Sequence, residues 1–256
     1  MMLVSKVLPN LKCLLLIASA LAAAPATAAD SAETRGPVSL QATYRATLEK
    51  GIPVNGSATR SVEQLEDGSW VSTFKVESFI ADITETSRFL WRDGRAWPST
   101  YRYALEGLMI PDRHRAMNFN WADNRVTGRY ESTDIDIALP PTALDPLSYQ
   151  LQMRQDLKRG QTEMHYQIVG KNRVEEDTYA VVGEETIDSQ LGSIETVKVE
   201  KVREPESKRK TYMWLAPEYD HLLIRLLQIE SDGTRYEIHL ESATVDGQQV
   251  TPPTTP

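Results

Sequence analysis

The stretch "WVSTFKVESFI", residues 70–80, alternates apolar and polar side chains with a period of two. Trp70, Phe74, Val76 and Ile80 fall on one side, and Thr73, Lys75 and Glu77 on the other. Successive side chains of an extended chain point to opposite faces, so this pattern belongs to an antiparallel strand with one face on a core and one in water. The same phase returns in "ITETSRFLW" (83–91) through Ile83, Phe89 and Trp91, and in "STYRYALEG" (99–107) through Tyr101, Tyr103 and Leu105. Turn signals punctuate the runs at Asn55-Gly56, Asp67-Gly68, Asp93-Gly94, Asp123-Asn124, Gly192-Ser193 and Asp232-Gly233. The chain therefore reads as mainly β, an antiparallel meander of about twelve strands.

One segment has helical grammar. "DPLSYQLQMRQDLKRG" (145–160) offers Asp145 as N-cap, Pro146 at the first helical position, Lys158 and Arg159 in the last turn and Gly160 as C-cap. A helix is expected over 145–159, between strands at about 38–140 and about 161–247. A lone helix among antiparallel strands covers the apolar face of a curved sheet, which must be buried against something. The expected architecture is a half-open β-barrel wrapped around one central α-helix: a single domain over 38–247, a linker at 29–37 and a disordered tail at 248–256.

The N-terminus reads as an export signal. Met1 to Lys12 carries two lysines and no acid, Leu14–Ala24 is apolar, and Ala26 and Ala28 set a cleavage site after Ala28. The apolar run is shorter than the ~20 residues that span a bilayer. Cys13 precedes that run and is not placed to become a lipidated N-terminus, so a periplasmic location is expected for residues 29–256. Removal of 1–28 takes away the only cysteine, and with it any disulfide, together with Lys6 and Lys12. The remainder holds 26 basic and 36 acidic residues. That surface repels phosphate backbones and anionic headgroups, which argues against nucleic acid and against stable membrane insertion.

Catalytic signatures are missing. There is no Gly-x-Ser-x-Gly elbow or phosphate-cradling loop, and His114, His165, His221 and His239 are scattered without zinc-site spacing. No catalytic residue, metal or cofactor is expected. A glycan-acting hydrolase needs only two carboxylates that meet in space, so it stays as a minor alternative. Glu218, Asp220 and His221, in "WLAPEYDHLLIRLLQIE" (214–230), lie where the strands "KRKTYMWLA" and "HLLIRLLQIE" must connect, and read as a solvated turn.

Helical spacing places Leu147 and Leu151 on one edge of an apolar arc and Tyr149, Met153 and Leu157 on the other, with Gln150 and Arg154 between. A buried guanidinium needs a partner. Arg154 either pairs internally with a carboxylate or carbonyl, or meets the acidic group of a ligand. Among the aromatic residues Trp97, before Pro98, is expected at a pocket rim, with Tyr101 close by. The candidate ligand-binding set is Arg154, Gln150, Tyr149, Trp97 and Tyr101.

Taken together, "YRATLEKGIPVNGSATRSVEQLEDGSW", "WPSTYRY", the helix segment and "MWLAPEYDHLLIRLLQIESDGTRYEIHL" resemble the domain-of-unknown-function 3108 family of Gram-negative periplasmic proteins, over about Val38 to Leu240. The resemblance implies a fold similar to the half-open barrels of periplasmic lipoprotein carriers, and no catalytic residues. The expected function is a non-enzymatic carrier or sensor of an apolar envelope molecule, a lipid or acyl chain, held in a concave groove. The alternative is an envelope interaction module with a protein partner and no small ligand.

Overall fold

The computed structural model describes residues 36–108 and 110–251. The expected signal peptide, nearly all of the 29–37 linker and residues 252–256 lie outside the described residues. One sheet contains β1 (Leu40–Lys50), β2 (Ile52–Gln64), β3 (Trp70–Ser78), β4 (Ala81–Arg92), β5 (Arg95–Gly107), β6 (Arg113–Asn120), β7 (Arg125–Tyr130) and β8 (Thr133–Ala138). It continues with β9 (Ala143–Leu144), β10 (Glu163–Val169), β11 (Val174–Ser189), β12 (Gly192–Val202), β13 (Lys210–Ala216), β14 (Leu222–Ile229), β15 (Arg235–Val245) and β16 (Gln248–Gln249). The helix α1 (Ser148–Lys158) lies between β9 and β10.

The order is β8-β7-β6-β5-β4-β3-β2-β1-β15-β14-β13-β12-β11-β10-β9, with β16 on β15. The first strand thus sits mid-sheet and sends out two arms. Neighbours pair antiparallel except β9 and β10, which run parallel. The terminal strands β8 and β9 do not pair with each other, so the sheet is not closed into a barrel.

Three expectations need correction. Sixteen strands replace about twelve. Two of the extra ones are two-residue pairings, and β7 turns into β8 through Glu131-Ser132 without glycine or proline, leaving no mark in the sequence. Asn55-Gly56 is not a turn but lies inside β2. The chain reverses instead at Gly51, with φ of +83°. Gly56 is there for close approach, since a Cβ would fall 2.4 Å from the Glu77 carbonyl oxygen. Residues 248–250 are not a disordered tail: Asp246 and Gly247, both at positive φ, turn the chain so that β16 pairs with β15 and Val250 is buried.

The period-two sides become the two faces. Tyr44, Phe89, Ile224 and Leu240 are fully buried in the main core. A second cluster joins Tyr101, Met117, Phe119 and Val126 to Ala143, Leu147 and Val169, bringing β5–β7 against β9 and β10 without hydrogen-bonding them. Apolar packing therefore holds together the two arms whose backbones stay apart.

Local chemistry sets the helix. The Asp145 carboxylate accepts the Leu147 and Ser148 N–H groups at 2.8 and 3.0 Å, while Ser148 Oγ accepts the Asp145 N–H at 2.9 Å. Three donors at the helix entry are satisfied as in a capping box, although the helix itself begins at Ser148, later than the expected 145, with Pro146 and Leu147 in the turn that leads into it. At the exit Gly160, with φ of +78°, lets its N–H reach Leu157 O and the Gln161 N–H reach Asp156 O. Leu151, Met153 and Leu157 are buried, each worth roughly 1.5–3 kcal/mol. Gln152, Gln155 and Asp156 are buried as well, beyond the expected arc. Gln152 accepts the Ala96 N–H and donates to Asp156, whose other oxygen accepts the Tyr166 hydroxyl. A largely polar helix thus lies inside the fold with its side chains tied to both arms.

Candidate functional site

Arg154 is buried and its guanidinium is occupied. Its Nε–H donates to the Asp220 carbonyl at 2.9 Å and Nη2–H to the Asp220 carboxylate, which also pairs with Lys158. The geometry behind this is the connection read as a turn. Pro217–Tyr219 form one 3-10 turn, and Asp220 and His221 follow at φ of 58° and 53°. This left-handed pair swings Asp220 back over α1. The connection is a turn as expected, with Pro217 and Glu218 exposed, but Asp220 and His221 are half-buried because that side of the turn clamps the helix.

Beside Asp220, burial and the Lys158 charge depress the His221 imidazole to a pKa of about 4. An unfolded chain takes up that proton near 6.5. The stability His221 carries is complete above pH 6.5 and is lost as pH falls toward about 4. Wild type is therefore expected to lose melting temperature over that window relative to His221→Gln. Parallel melting curves for the two proteins would discard this assignment.

Gln150 accepts a hydrogen bond from Arg60 Nη1 at 2.5 Å. Arg154, Gln150 and Arg60 share a small cavity of only about 10 Å³ with Tyr44, Met153 and Leu215. An acyl chain does not fit there. Trp97 stands apart: its ring packs edge-on to Trp121 at 4.7 Å, under the Arg95 guanidinium.

Tyr149 and Tyr101 lead to a different place. Tyr149 lines a cleft of about 520 Å³ with Glu85, Arg115, Ile168, Lys171, Tyr179 and Lys201. Glu85 and Arg115 come from β4 and β6 in one arm, and the last four from the segment Ile168–Lys201 in the other. The cleft lies where the sheet fails to close. Tyr149 stacks on Tyr179 at 5.4 Å between ring centres. The Tyr101 hydroxyl donates to Glu85 Oε2 at 2.6 Å and accepts from Arg115 Nη2 at 3.1 Å. The Arg115 guanidinium also lies over the Tyr101 ring at 4.9 Å, and its Nε–H is buried without a partner.

The cleft is net cationic. Lys201 pairs with Asp177 and Arg173 with Glu175. Among the described residues, Arg115 and Lys171 have no carboxylate at ion-pair distance, Lys171 instead resting over the Tyr130 ring at 4.7 Å. Burial raises the Glu85 carboxyl above its ordinary value. Two open cations beside stacked tyrosines form a surface for an anion with an apolar neighbour.

Sequence reading missed Glu85, Arg115 and Arg60, yet each left a signal. Glu85 lies in phase with Ile83 and Phe89, Arg115 with Met117 and Phe119, and Arg60 with Ala58 and Val62. A charged residue on the apolar phase of a strand faces inward and has to be matched by something.

Among solved structures, a β-barrel-like protein of the DUF1849 family from Brucella abortus is similar at a TM-score of 0.57 and 11% identity, covering 82% of this chain and 98% of that one. A DUF1329 protein from Desulfovibrio piger reaches 0.24 at 13% identity, covering 85% and 88% of the two chains. A domain described as an outer membrane lipoprotein-sorting protein, from Vibrio parahaemolyticus, reaches 0.23 at 11%, covering 84% and 88%. The first likeness shows the fold alone, and the other two carry no argument. No curated protein matches the chain. Residues 42–241 match the model of DUF3108, proteins of unknown function, and the chain belongs to that family.

Proposed function

We propose that this protein is a non-enzymatic carrier or sensor of an amphiphile in the periplasm, working as a half-open barrel with α1 at its centre. The ligand's acidic headgroup, a carboxylate or phosphate, would lie between Arg115 and Lys171, and its apolar part along Tyr149, Tyr179 and Ile168. One observation carries this reading: the cleft of about 520 Å³ between the two arms, with two cations that have no carboxylate at ion-pair distance among the described residues. Its volume suits a small ligand. Arg154 and Gln150 serve in it as internal braces, because their cavity is too small for an acyl chain.

Two measurements test it. Protein purified from a periplasm should carry an excess mass under native conditions that is lost on unfolding. Dansyl-undecanoic acid should bind saturably, and Arg115→Met should weaken it at least tenfold, in line with the ~1.5–3 kcal/mol of a charge-assisted contact. A bare polypeptide mass combined with no saturable binding would sink the proposal.

One observation favours a second reading, an envelope interaction module. Phe79 and Leu108 are 74% and 87% exposed on adjacent hairpin tips, joined by the Leu108 N–H to the Ile80 carbonyl. Exposed apolar groups side by side mark a contact surface. Phe79→Ser with Leu108→Ser should then abolish a defined cross-link in the intact envelope while leaving dansyl-undecanoic acid binding unchanged.

A further inference from the structure

Arg60 points into the core from β2 and is 6% exposed. Its Nη1–H is used by Gln150, but Nε–H and Nη2–H have no partner, and neither has the hydroxyl of Tyr44, which is fully buried. All three open groups belong to residues lining one small cavity of about 10 Å³. Nε–H and Nη2–H project from the same edge of the guanidinium, a fork that converges on a single acceptor.

The cavity itself is lined by two cations, Arg60 and Arg154, and by no acid, while Lys158 and Asp220 stand just outside it. Arg60, Arg154 and Lys158 are three cations, and Asp220 is the one carboxylate at ion-pair distance from any of them among the described residues. Asp220 serves Arg154 and Lys158, while Arg60 has no carboxylate at ion-pair distance and feels Glu85 only from further off. Leu40, Met153, Met213, Leu215 and Leu223 complete the lining and bring no acid. An unmatched buried guanidinium costs several kcal/mol, and a neutral water would accept its hydrogen bonds without neutralising it.

We propose that this cavity binds one monatomic anion, chloride, held by Arg60 Nε–H and Nη2–H and by the Tyr44 hydroxyl. The space is too small for phosphate, sulfate or an organic carboxylate, and a single-atom ion is the anion compact enough to enter it. Its lining shares no residue with the cleft at Tyr149, so the anion is an internal component of the fold and not the headgroup of a ligand. It places a counter-charge where β1, β2, α1 and β13 meet.

The test uses the whole protein without added ligand. Crystals grown in bromide should show an anomalous peak in the cavity beside Arg60 and Tyr44. Melting in sodium chloride should exceed melting in sodium gluconate of equal ionic strength by roughly 3–5 °C at tenfold over the dissociation constant. Arg60→Met should erase that difference. Should Arg60→Met fail to fold, Tyr44→Phe removes one donor and should shrink the difference. A cavity without an anomalous peak, in crystals that bind bromide elsewhere, would overturn the proposal. So would equal melting in the two salts, or a difference unaltered in both variants.

Discussion

Asp220→Ala is expected to destabilise the fold by about 3–5 kcal/mol, because it leaves the buried Arg154 charge without its counter-charge. Arg154 is 6% exposed, and both of its bonds to Asp220 run from the helix to the β13–β14 connection. Lys158 loses its partner in the same change. For a chain of this size the melting temperature should fall by roughly 6–20 °C. The comparison with Arg154→Met is decisive. That change removes the charge and keeps most of the side-chain volume, so it should cost less than Asp220→Ala. Asp220→Ala should also cost less in the Arg154→Met background than in wild type. If Asp220→Ala cost the same in both backgrounds, the pair would contribute nothing, and the turn would be held by its backbone alone.

Asp145→Ala should cost about 3–4 kcal/mol, the sum of a lost helix cap and of buried donors left open. Asp145 is fully buried. It accepts the Ser87 hydroxyl at 2.5 Å as well as the two helix N–H groups. It therefore fastens α1 to β4 as well as starting the helix. Asp145→Asn keeps an oxygen facing both N–H groups, and Ser87 can turn to accept from the new amide, so that variant should lose well under half as much. Urea unfolding of the two variants measures the difference. Equal losses would locate the effect in the charge and not in the cap.

The same carboxyl has a pH signature. Burial raises the pKa of Asp145 in the fold, and burial does the same to Glu85. A raised carboxyl holds its proton more tightly folded than unfolded. Its contribution is complete below the unfolded pKa, near 4, and is lost as pH climbs through the folded value. The Asp145→Asn protein should therefore lose less stability than wild type as pH rises from 4.

How much of this was legible varies by element. The strands announced themselves where one face is apolar, because the period of two is written directly into side-chain chemistry: Trp70, Phe74 and Val76 in β3, and Tyr101 and Tyr103 in β5. The helix was legible through its ends, where Asp145 and Gly160 act within a few residues of chain. Strands of two residues are too short to show a period, the turn at Glu131-Ser132 has neither glycine nor proline, and the Asp246-Gly247 turn ahead of β16 was legible but passed over. Asn55-Gly56 carried a turn's composition but serves a close contact with β3, which is set by a neighbour 21 residues on.

For the site, the residue types were legible and their partners were not. Arg154 was readable as buried and in need of a counter-charge, and the sequence alone named both candidate solutions. Only the folded chain chose Asp220, 66 residues away, because a turn at positive φ swings that carboxylate over the helix. The cleft at Tyr149 is further out of reach. It exists because the two arms of one sheet approach without pairing, and nothing local in β4, β6 or β10 encodes that gap. By itself, the sequence determined class, helix ends and inward faces, since these depend on neighbours along the chain. Tertiary structure decided which inward charges are matched and which stay open, since that depends on what the curvature of the sheet brings together.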